Sequence, residues 1–159
     1  MWHNLIVVWE VEFTDEFQGW WDSLSEDEQD SLAISVRHIV AFGPALGFPH
    51  SSRVVTSRYA QMRELRTQSS GRPFRTLYAF NPLRTAVLLI GGDKTGDDRW
   101  YERFVPVADR LLKAHLHELK RKVESNGNTQ FSSTRGGDAS SEAAEDRKGI
   151  SRESGVDAT

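Results

Sequence analysis

Residues 61–90 carry the sequence QMRELRTQSSGRPFRTLYAFNPLRTAVLLI, in which two short turns separate three segments typical of β-strands. Gln61–Thr67 alternates apolar and polar residues, and Pro73–Phe80 is rich in aromatic residues. Thr85–Ile90 is almost continuously apolar, as a central buried strand would be. The first connection is polar and contains glycine, and Asn81-Pro82 makes the second. Because both connections are too short for a crossover, the stretch predicts an antiparallel meander.

The residues before the meander predict one further strand and a pair of helices. Leu5–Phe13 is rich in valine, isoleucine and tryptophan, which favours a first strand. Asp15–Leu24 places its apolar residues at helical spacing. Ser25 and Glu28 match the capping box of a second helix, which we expect to end near Gly43. The two helices should form a hairpin.

The remaining segments predict a short strand, a loop, a helix and a tail. Arg53–Ser57 is a candidate strand, and Gly91–Arg99 is rich in glycine and aspartate, which predicts a loop. Apolar residues at helical spacing predict a last helix that opens at Pro106 and ends near Glu124. Ser125–Thr159 is too polar to bury a core, so we expect it to be disordered.

This order of elements predicts the α+β class, in which helices pack on a face of one antiparallel sheet. The expected chain order is an N-terminal strand, a helical hairpin, three or four further strands and a C-terminal helix. The expected domains are residues 1–124, which fold, and residues 125–159, which form the disordered polar tail.

The composition excludes several classes of protein. The chain has 159 residues and no cysteine, which rules out disulfide scaffolds, thiol chemistry and cysteine-ligated metal sites. No apolar run approaches the roughly 18 residues of a membrane span, and the N-terminus lacks the positive charges of a signal peptide. We therefore expect a cytoplasmic protein with no membrane partner, no metal and no other cofactor.

The net charge of −3 conceals a strong segregation of charge along the chain. Residues 1–52 hold one base and nine acids, whereas residues 53–124 hold fifteen bases and eight acids. Residues 125–159 hold four bases and six acids. The middle segment, with a net charge of +7, could hold phosphates although the whole chain is acidic. The alternative is that opposite charges merely pair across the fold.

Basic and phenolic side chains recur on and beside adjacent strands of the predicted sheet. Each is ordinary alone, since an arginine on a strand is usually a surface charge and a tyrosine near a helix start is usually in the core. Arg75 should share a face with Leu77 and Ala79, away from the core, with Arg66 or Arg63 beside it. The other members of the set are Tyr78 on the same strand as Arg75, Lys94 after the central strand, and Tyr101.

Such a set of side chains suits cleavage of RNA without a metal ion. The attacking 2′-hydroxyl must lose a proton, the scissile phosphate gains negative charge, and the leaving 5′-oxygen needs a proton. Arginines can stabilise the charge of the phosphorane, and a lysine or tyrosine with a shifted pKa can move protons.

The motifs that carry this chemistry resemble the RelE/HigB toxins, and more narrowly their phage-derived branch. They are Met62–Arg66 (MRELR), Phe74–Phe80 (FRTLYAF), Leu88–Lys94 (LLIGGDK) and Trp100–Glu102 (WYE). The resemblance implies a RelE-like fold and a toxin of a type II toxin–antitoxin pair. Such toxins are expected to cut mRNA in the ribosomal A site and to be silenced by a cognate antitoxin, here expected to be a helix-turn-helix protein.

The resemblance also implies roles for particular residues. Arg75 would stabilise the transition state, and Lys94 would be the basic residue that follows the central strand. Tyr101 would act as a base or stack on a base of the message. Arg66, and with it Arg63, would hold RNA phosphate.

The sequence departs from the family pattern where some relatives carry two lysines, because Met62 and Glu64 occupy those positions. Glu64 could be the base, or it could pair with Arg66, and the pairing is favoured. The missing lysines keep two other functions open. One is a toxin of the same fold that acts by binding, as gyrase-poisoning relatives do, and the other is a non-catalytic module that binds an antitoxin.

Overall fold

The computed structural model describes residues 8–127. The chain forms two units, Met1–Leu116 and His117–Thr159. Of the second unit, residues 117–127 are described, and they are helical. The expected disordered tail, residues 125–159, therefore lies outside the described residues except for its first three positions.

The described part of the first unit contains five strands and three helices. In chain order they are β1 (Glu10–Phe13), α1 (Asp15–Ser23), α2 (Glu26–Phe42), a 3₁₀ turn (Gly43–Ala45), β2 (Ser51–Arg53), β3 (Arg63–Ser69), β4 (Arg72–Phe80), β5 (Thr85–Asp93) and α3 (residues 100–116). Every element that the sequence predicts in this range is present, although several boundaries differ. The predicted α+β class is confirmed.

The five strands form one sheet in the order β1-β5-β4-β3-β2. Strands β2 to β5 are antiparallel neighbours, which confirms the predicted meander. β1 runs parallel to β5, so the sheet is mixed and the expectation of a wholly antiparallel sheet is wrong. The reason is that tight turns determine direction only between the strands they join, whereas the chain leaves β1 through a helical crossover.

Local capping signals define the helical hairpin as predicted. Thr14 caps α1 by accepting a hydrogen bond from the amide of Phe17 at 3.0 Å. Ser25 and Glu28 form the reciprocal capping box that opens α2. α2 ends before Gly43, whose φ of 57° lies in the left-handed region that glycine tolerates.

The outer strands begin at different residues than expected. The segment 5–7 of the expected first strand lies outside the described residues, and β1 itself starts at Glu10. Trp9 is not part of β1, because its amide donates to the carbonyl of Val40 in α2 at 3.0 Å. β2 occupies Ser51–Arg53 rather than Arg53–Ser57, since its hydrogen bonds to β3 place Ser51 opposite Leu65.

β5 is longer than predicted and takes in the first part of the expected glycine-rich loop. The two glycines serve close packing within the strand rather than a turn. A Cβ atom at Gly91 would overlap the ring of Trp20, and a Cβ atom at Gly92 would lie 2.9 Å from Nε1 of Trp100. Glycine, which usually weakens or ends a strand, is therefore needed at both positions so that Trp20 and Trp100 can pack closely against the backbone of β5.

α3 begins at Trp100, six residues before the predicted start at Pro106. Asp97 organises the preceding turn, because its carboxylate accepts a hydrogen bond from the amide of Arg99 at 3.1 Å. The earlier start also buries the Trp100 side chain completely. Burial of this large aromatic residue outweighs the tendency of proline to mark the first helical position.

Helices cover both faces of the sheet, rather than the one face expected. α1 and α2 pack on one face, over a core that includes Phe17, Leu32, Ile39, Leu65, Tyr78 and Leu88. α3 packs on the other, over a core that includes Leu77, Val87, Leu89, Trp100 and Leu112. Within residues 8–127, no helix has both the length and the apolar character that a membrane span requires.

Candidate active site

The pairing of β3 with β4 determines which charged side chains meet. Arg66 lies directly opposite Arg75 in the register. Because side chains alternate along a strand, Glu64 shares a face with Arg66 and lies diagonal to Arg75. Nε of Arg75 is 3.7 Å from Oε1 of Glu64, and the two residues are only 7% and 6% exposed. The sheet thus holds an almost fully buried ion pair.

α3 brings a phenol to the same carboxylate. Tyr101 lies in the first turn of α3 and donates its hydroxyl to Oε1 of Glu64 at 3.1 Å. Ser52, on the edge strand β2, donates to the same oxygen at 3.2 Å. Glu64 is therefore approached from three elements, by a hydroxyl from β2, a guanidinium from β4 and a phenol from α3.

Lys94 joins this group from the end of β5. Its amide donates to the carbonyl of Pro73 at 2.8 Å, which fixes the backbone beside β4. Its Nζ lies 5.5 Å from the centroid of the Tyr101 ring, a cation–π distance. We call Glu64, Arg75, Lys94 and Tyr101 the Glu64 cluster.

Arg66 lies on the same face but does not pair with Glu64, so the favoured expectation of a Glu64–Arg66 ion pair is wrong. The carboxylate pairs instead with Arg75. The amide of Arg66 donates to the carbonyl of His50 at 2.8 Å, and its guanidinium lies 5.4 Å from the centroid of the Phe48 ring. The loop before β2 thus holds Arg66 at the edge of the cluster.

Arg63 is not brought to the cluster. It alternates to the opposite face of β3, where Tyr78 is its partner in the register. Its Nε donates to the Ser51 hydroxyl at 3.0 Å, and its Nη2 donates to the carbonyl of Leu46 at 3.1 Å. The Ser51 and Tyr78 hydroxyls are 2.6 Å apart, which completes a polar network. Arg63 and Tyr78 thus lie apart from the residues around Glu64.

The expectation that Arg75 lies on a face away from the core is also wrong. The side chain shares its face with Leu77 and Ala79 as predicted, but α3 covers that face. Arg75 donates from Nη1 to the carbonyl of Phe74 at 3.0 Å, whereas its buried Nε has no hydrogen-bond partner among the described residues. A buried, incompletely satisfied guanidinium is uncommon and points to a role beyond packing.

The environment of Tyr101 favours its protonated form. Burial, the hydrogen bond to Glu64 and the negative charge of Glu64 raise the pKa of the Tyr101 hydroxyl above its ordinary value, while Arg75 acts in the opposite direction. A phenol with a raised pKa is a hydrogen-bond and proton donor at neutral pH. The two roles expected for Tyr101 were action as a base and stacking on a base of the message. The raised pKa argues against action as a base and leaves the phenol able to donate a proton instead.

A second ion-pair group lies beside the cluster, at the end of β5. Arg72 pairs with Asp93 at 3.0 Å and also contacts Glu28, the capping-box residue of α2. Burial opposes ionisation of Asp93, but hydrogen bonds from Thr95 and the charge of Arg72 hold the pKa of its carboxyl below the ordinary value. Asp93 therefore stabilises the turn that leads into Lys94.

The sequence did not identify Glu64 as the centre of the site. The available signal was a single acid between two arginines on a strand, next to buried Met62 and Leu65. An acidic residue that is buried in a basic segment needs partners from neighbouring elements, but only the register reveals which ones.

Comparison with known proteins assigns the chain to a family. Residues 19–113 match the model of the family Phage derived protein Gp49-like. The chain is 38% identical over 96 residues to a Mycobacterium tuberculosis protein named toxin HigB3, covering 60% of this chain and 82% of that protein. It is 32% identical over 108 residues to the protein named toxin HigB2 of the same organism, covering 67% of this chain and 54% of that protein.

A solved structure is also similar. The isolated RelE toxin of E. coli matches 60% of this chain and 95% of its own, with a TM-score of 0.39 and 11% sequence identity. The family assignment depends on the sequence matches. Residues 19–113, which match the family model, contain α2, all of β2–β5 and most of α3. The chain therefore belongs to the phage-derived Gp49-like family and is a HigB-like toxin of the toxin–antitoxin class.

Proposed function

We propose that this toxin is an endoribonuclease that cuts mRNA on the ribosome without a metal cofactor and so inhibits translation. The observation that supports this proposal is the convergence of Tyr101 and Arg75 on the carboxylate of Glu64. A carboxylate, a phenol and neighbouring cations are together sufficient for transesterification of a phosphodiester.

The proposed reaction balances with the groups of the Glu64 cluster alone. The 2′-hydroxyl gives its proton to a base, and the O2′–P bond forms as the P–O5′ bond breaks. The leaving O5′ takes a proton from an acid, so that the products are a 2′,3′-cyclic phosphate and a 5′-hydroxyl. Between these two events, positive charge is needed next to the phosphorane oxygens, because these oxygens carry negative charge.

We assign the base to Glu64. Its three contacts, from Ser52, Arg75 and Tyr101, all go to Oε1. Within residues 8–127, Oε2 has no hydrogen-bond partner and is available to accept a proton from the substrate. The carboxylate would thus be held by one oxygen and would react through the other, in the position where some relatives carry a lysine.

We assign the acid to Tyr101. Its raised pKa keeps the proton on the phenol until a stronger base, the leaving O5′, is formed. After the reaction Glu64 carries a proton and Tyr101 lacks one. The hydrogen bond between them provides a direct path for the proton to return, which would restore both groups for the next turnover.

The cations of the cluster would stabilise the phosphorane. Arg75 is buried, and a guanidinium in a poorly solvated site acts strongly on a developing anion. Lys94 is held over the Tyr101 ring, close to the proposed acid. Arg66 would bind a flanking phosphate, whereas the position of Arg63 does not support the same role for it.

The toxin class implies an antitoxin partner. We propose that this partner is a helix-turn-helix protein and that the toxin acts in the cytoplasm, on mRNA in the ribosomal A site. The basic segment over residues 53–124 would attract both the message and an acidic part of the antitoxin.

Mapping the 5′ ends of cellular messages after brief expression of the full chain tests the proposal. We expect new 5′ ends in phase with codons, and far fewer of them with Tyr101→Phe. Intact messages accompanied by DNA damage would contradict the proposal and would support a gyrase-poisoning toxin instead.

A further inference from the structure

A pocket of about 540 Å³ opens directly beside the Glu64 cluster. One wall is the connection between β2 and β3, with Thr56, Arg58 and Tyr59. The other wall is α3, from Tyr101 through Pro106 to Lys113. Tyr101 thus belongs both to the proposed active site and to the pocket, so a ligand in the pocket would lie next to the reacting phosphate. A volume of this size is typical of small-ligand sites.

The walls of this pocket are fixed by hydrogen bonds from the loop to the helix. Asp109 of α3 accepts from the Ser57 hydroxyl at 2.5 Å and from the amide of Arg58 at 3.1 Å. Both carboxylate oxygens of Asp109 are therefore engaged by the loop. Tyr59 is partly buried against the core below α3. The pocket is consequently a built feature and not a gap between mobile side chains.

Three cations surround the opening. Arg58, Arg110 and Lys113 are exposed, and within the described part of the chain none of them has an ion-pair partner. The two acids of the lining offset this positive charge only in part. Asp109 is hydrogen-bonded to the loop, and Glu102 is exposed and lies close to Arg99, so the rim favours an anionic ligand.

The floor is apolar and aromatic. Buried Val105 and half-buried Tyr59 form it, and a tyrosine ring is a surface on which a nucleobase can stack. An apolar, aromatic floor under a cationic rim matches the two halves of a nucleotide, the base and its phosphate.

We propose that this pocket binds the RNA nucleotide next to the scissile phosphate, with its base against Tyr59 and its outer phosphate at Arg58, Arg110 and Lys113. The proposal deepens the endoribonuclease function and rests on it. Because the pocket is adjacent to Tyr101, it would place the message over the Glu64 cluster and would influence which nucleotide flanks the cut. An acidic peptide fits the rim but makes no use of the aromatic floor.

The direct test is a binding titration of the full chain with a 2′-O-methyl dinucleotide that carries terminal 5′- and 3′-phosphates. The terminal phosphates provide the outer phosphate of the proposal, and the blocked 2′-hydroxyls prevent cleavage. We expect saturable binding that weakens as salt increases. Tyr59→Ala should weaken it about fivefold or more through loss of stacking, and Lys113→Glu should weaken it further at low salt. The matched controls are Tyr59→Phe, which keeps the ring, and Arg37→Glu, a charge reversal on the exposed side of α2. Both should bind as the unsubstituted chain does.

Absence of saturable binding would overturn the proposal that this pocket binds a nucleotide. Equal affinity of Tyr59→Ala and Tyr59→Phe for the dinucleotide would also overturn it. So would tighter binding of an oligoglutamate peptide than of the dinucleotide, because it would assign the pocket to an acidic protein segment. The titration involves no cleavage, so it is independent of the proposed reaction. If the dinucleotide binds but messages stay intact in cells, the pocket stands and the endoribonuclease proposal fails.

Discussion

Arg63 and Arg75 lie on adjacent strands of the same sheet, yet their surroundings differ completely. Arg63 lies on the face of the sheet that α1 and α2 cover, and the hydroxyl of Ser51 in β2 and the carbonyl of Leu46 accept its hydrogen bonds. Arg75 faces α3, where it is 3.7 Å from Glu64 and its Nε lacks a hydrogen-bond partner among the described residues. Arg63 is part of a hydrogen-bonded network within the fold, whereas Nε of Arg75 remains available to donate a further hydrogen bond. We propose that this difference in hydrogen bonding, more than residue type or burial, separates a structural role for Arg63 from a functional role for Arg75.

The largest effect is expected for Arg75. Arg75→Ala should reduce mRNA cleavage about 10²- to 10³-fold, the cost of removing one preorganised donor from a developing anion. Since this change also leaves Glu64 without its ion-pair partner, Arg75→Lys is the companion variant: it keeps the charge but loses the planar set of donors. Cleavage assays of both variants, with thermal melting as the check on folding, measure the effect. Normal cleavage by a folded Arg75→Lys protein would show that the guanidinium has no catalytic role.

Tyr101→Phe should have the next largest effect, a loss of about 10²-fold in the rate of cleavage, because only the proposed acid is removed. The ring and its contact with Lys94 remain, so the melting temperature should change little. Single-turnover cleavage on programmed ribosomes measures the rate. A rate equal to that of the unsubstituted toxin would remove Tyr101 from the mechanism.

Arg63→Ala should reverse this pattern. Cleavage per folded molecule should be unchanged, while the free energy of unfolding should fall by about 2 kcal/mol because two hydrogen bonds from a charged group are lost. Urea denaturation gives the stability, and the cleavage assay of the same preparation is its control. If Arg63→Ala instead folds normally and stops cutting, the contrast between the two arginines does not hold.

Asp93 should give the smallest effect, confined to a pH range. Its lowered pKa means that the carboxylate stabilises the folded state above its ordinary pKa of 3.8, and that this contribution is lost as pH falls through the lower folded-state value. Because the pair with Arg72 is partly exposed, Asp93→Asn should cost less than about 1 kcal/mol at pH 7.

Melting temperatures of both proteins at pH 7 and in increasingly acid solution measure this difference. The gap between Asp93→Asn and the unsubstituted chain should close as the solution becomes more acidic than pH 3.8. A gap that is constant with pH would contradict the lowered pKa of Asp93 and its cause in the Thr95 hydrogen bonds and the charge of Arg72.

Local signals in the sequence predict those parts of the fold that local physics determines. The capping box at Ser25 and Glu28, the helix end at Gly43 and the meander were confirmed. The predicted direction of β1 was wrong, because the direction of this strand depends on the path of the long crossover that follows it. The predicted end of β5 was wrong, because Gly91 continues the strand and makes room for the ring of Trp20, which is distant in sequence.

The site was predictable as a set of residue types but not as an arrangement. Arg75, Lys94 and Tyr101 were identified from motifs and do meet. The predicted ion-pair partner of Glu64, Arg66, was wrong. The register of β3 and β4 places Arg66 opposite Arg75, and this puts Glu64 diagonal to Arg75. The separation of Arg63 from Arg66 likewise follows from alternation along β3, once the face of one residue is known.

The most direct test of the central claim is a reconstituted cleavage reaction that contains the purified full chain, ribosomes and one defined mRNA. The proposed mechanism predicts products that end in a 2′,3′-cyclic phosphate and a 5′-hydroxyl, formed by the unsubstituted toxin and by Arg63→Ala but not by Arg75→Lys. An mRNA with a 2′-deoxynucleotide at the cut position should stay intact. Cleavage of that deoxy-substituted message, or equal cleavage by Arg63→Ala and Arg75→Lys, would contradict the proposed mechanism.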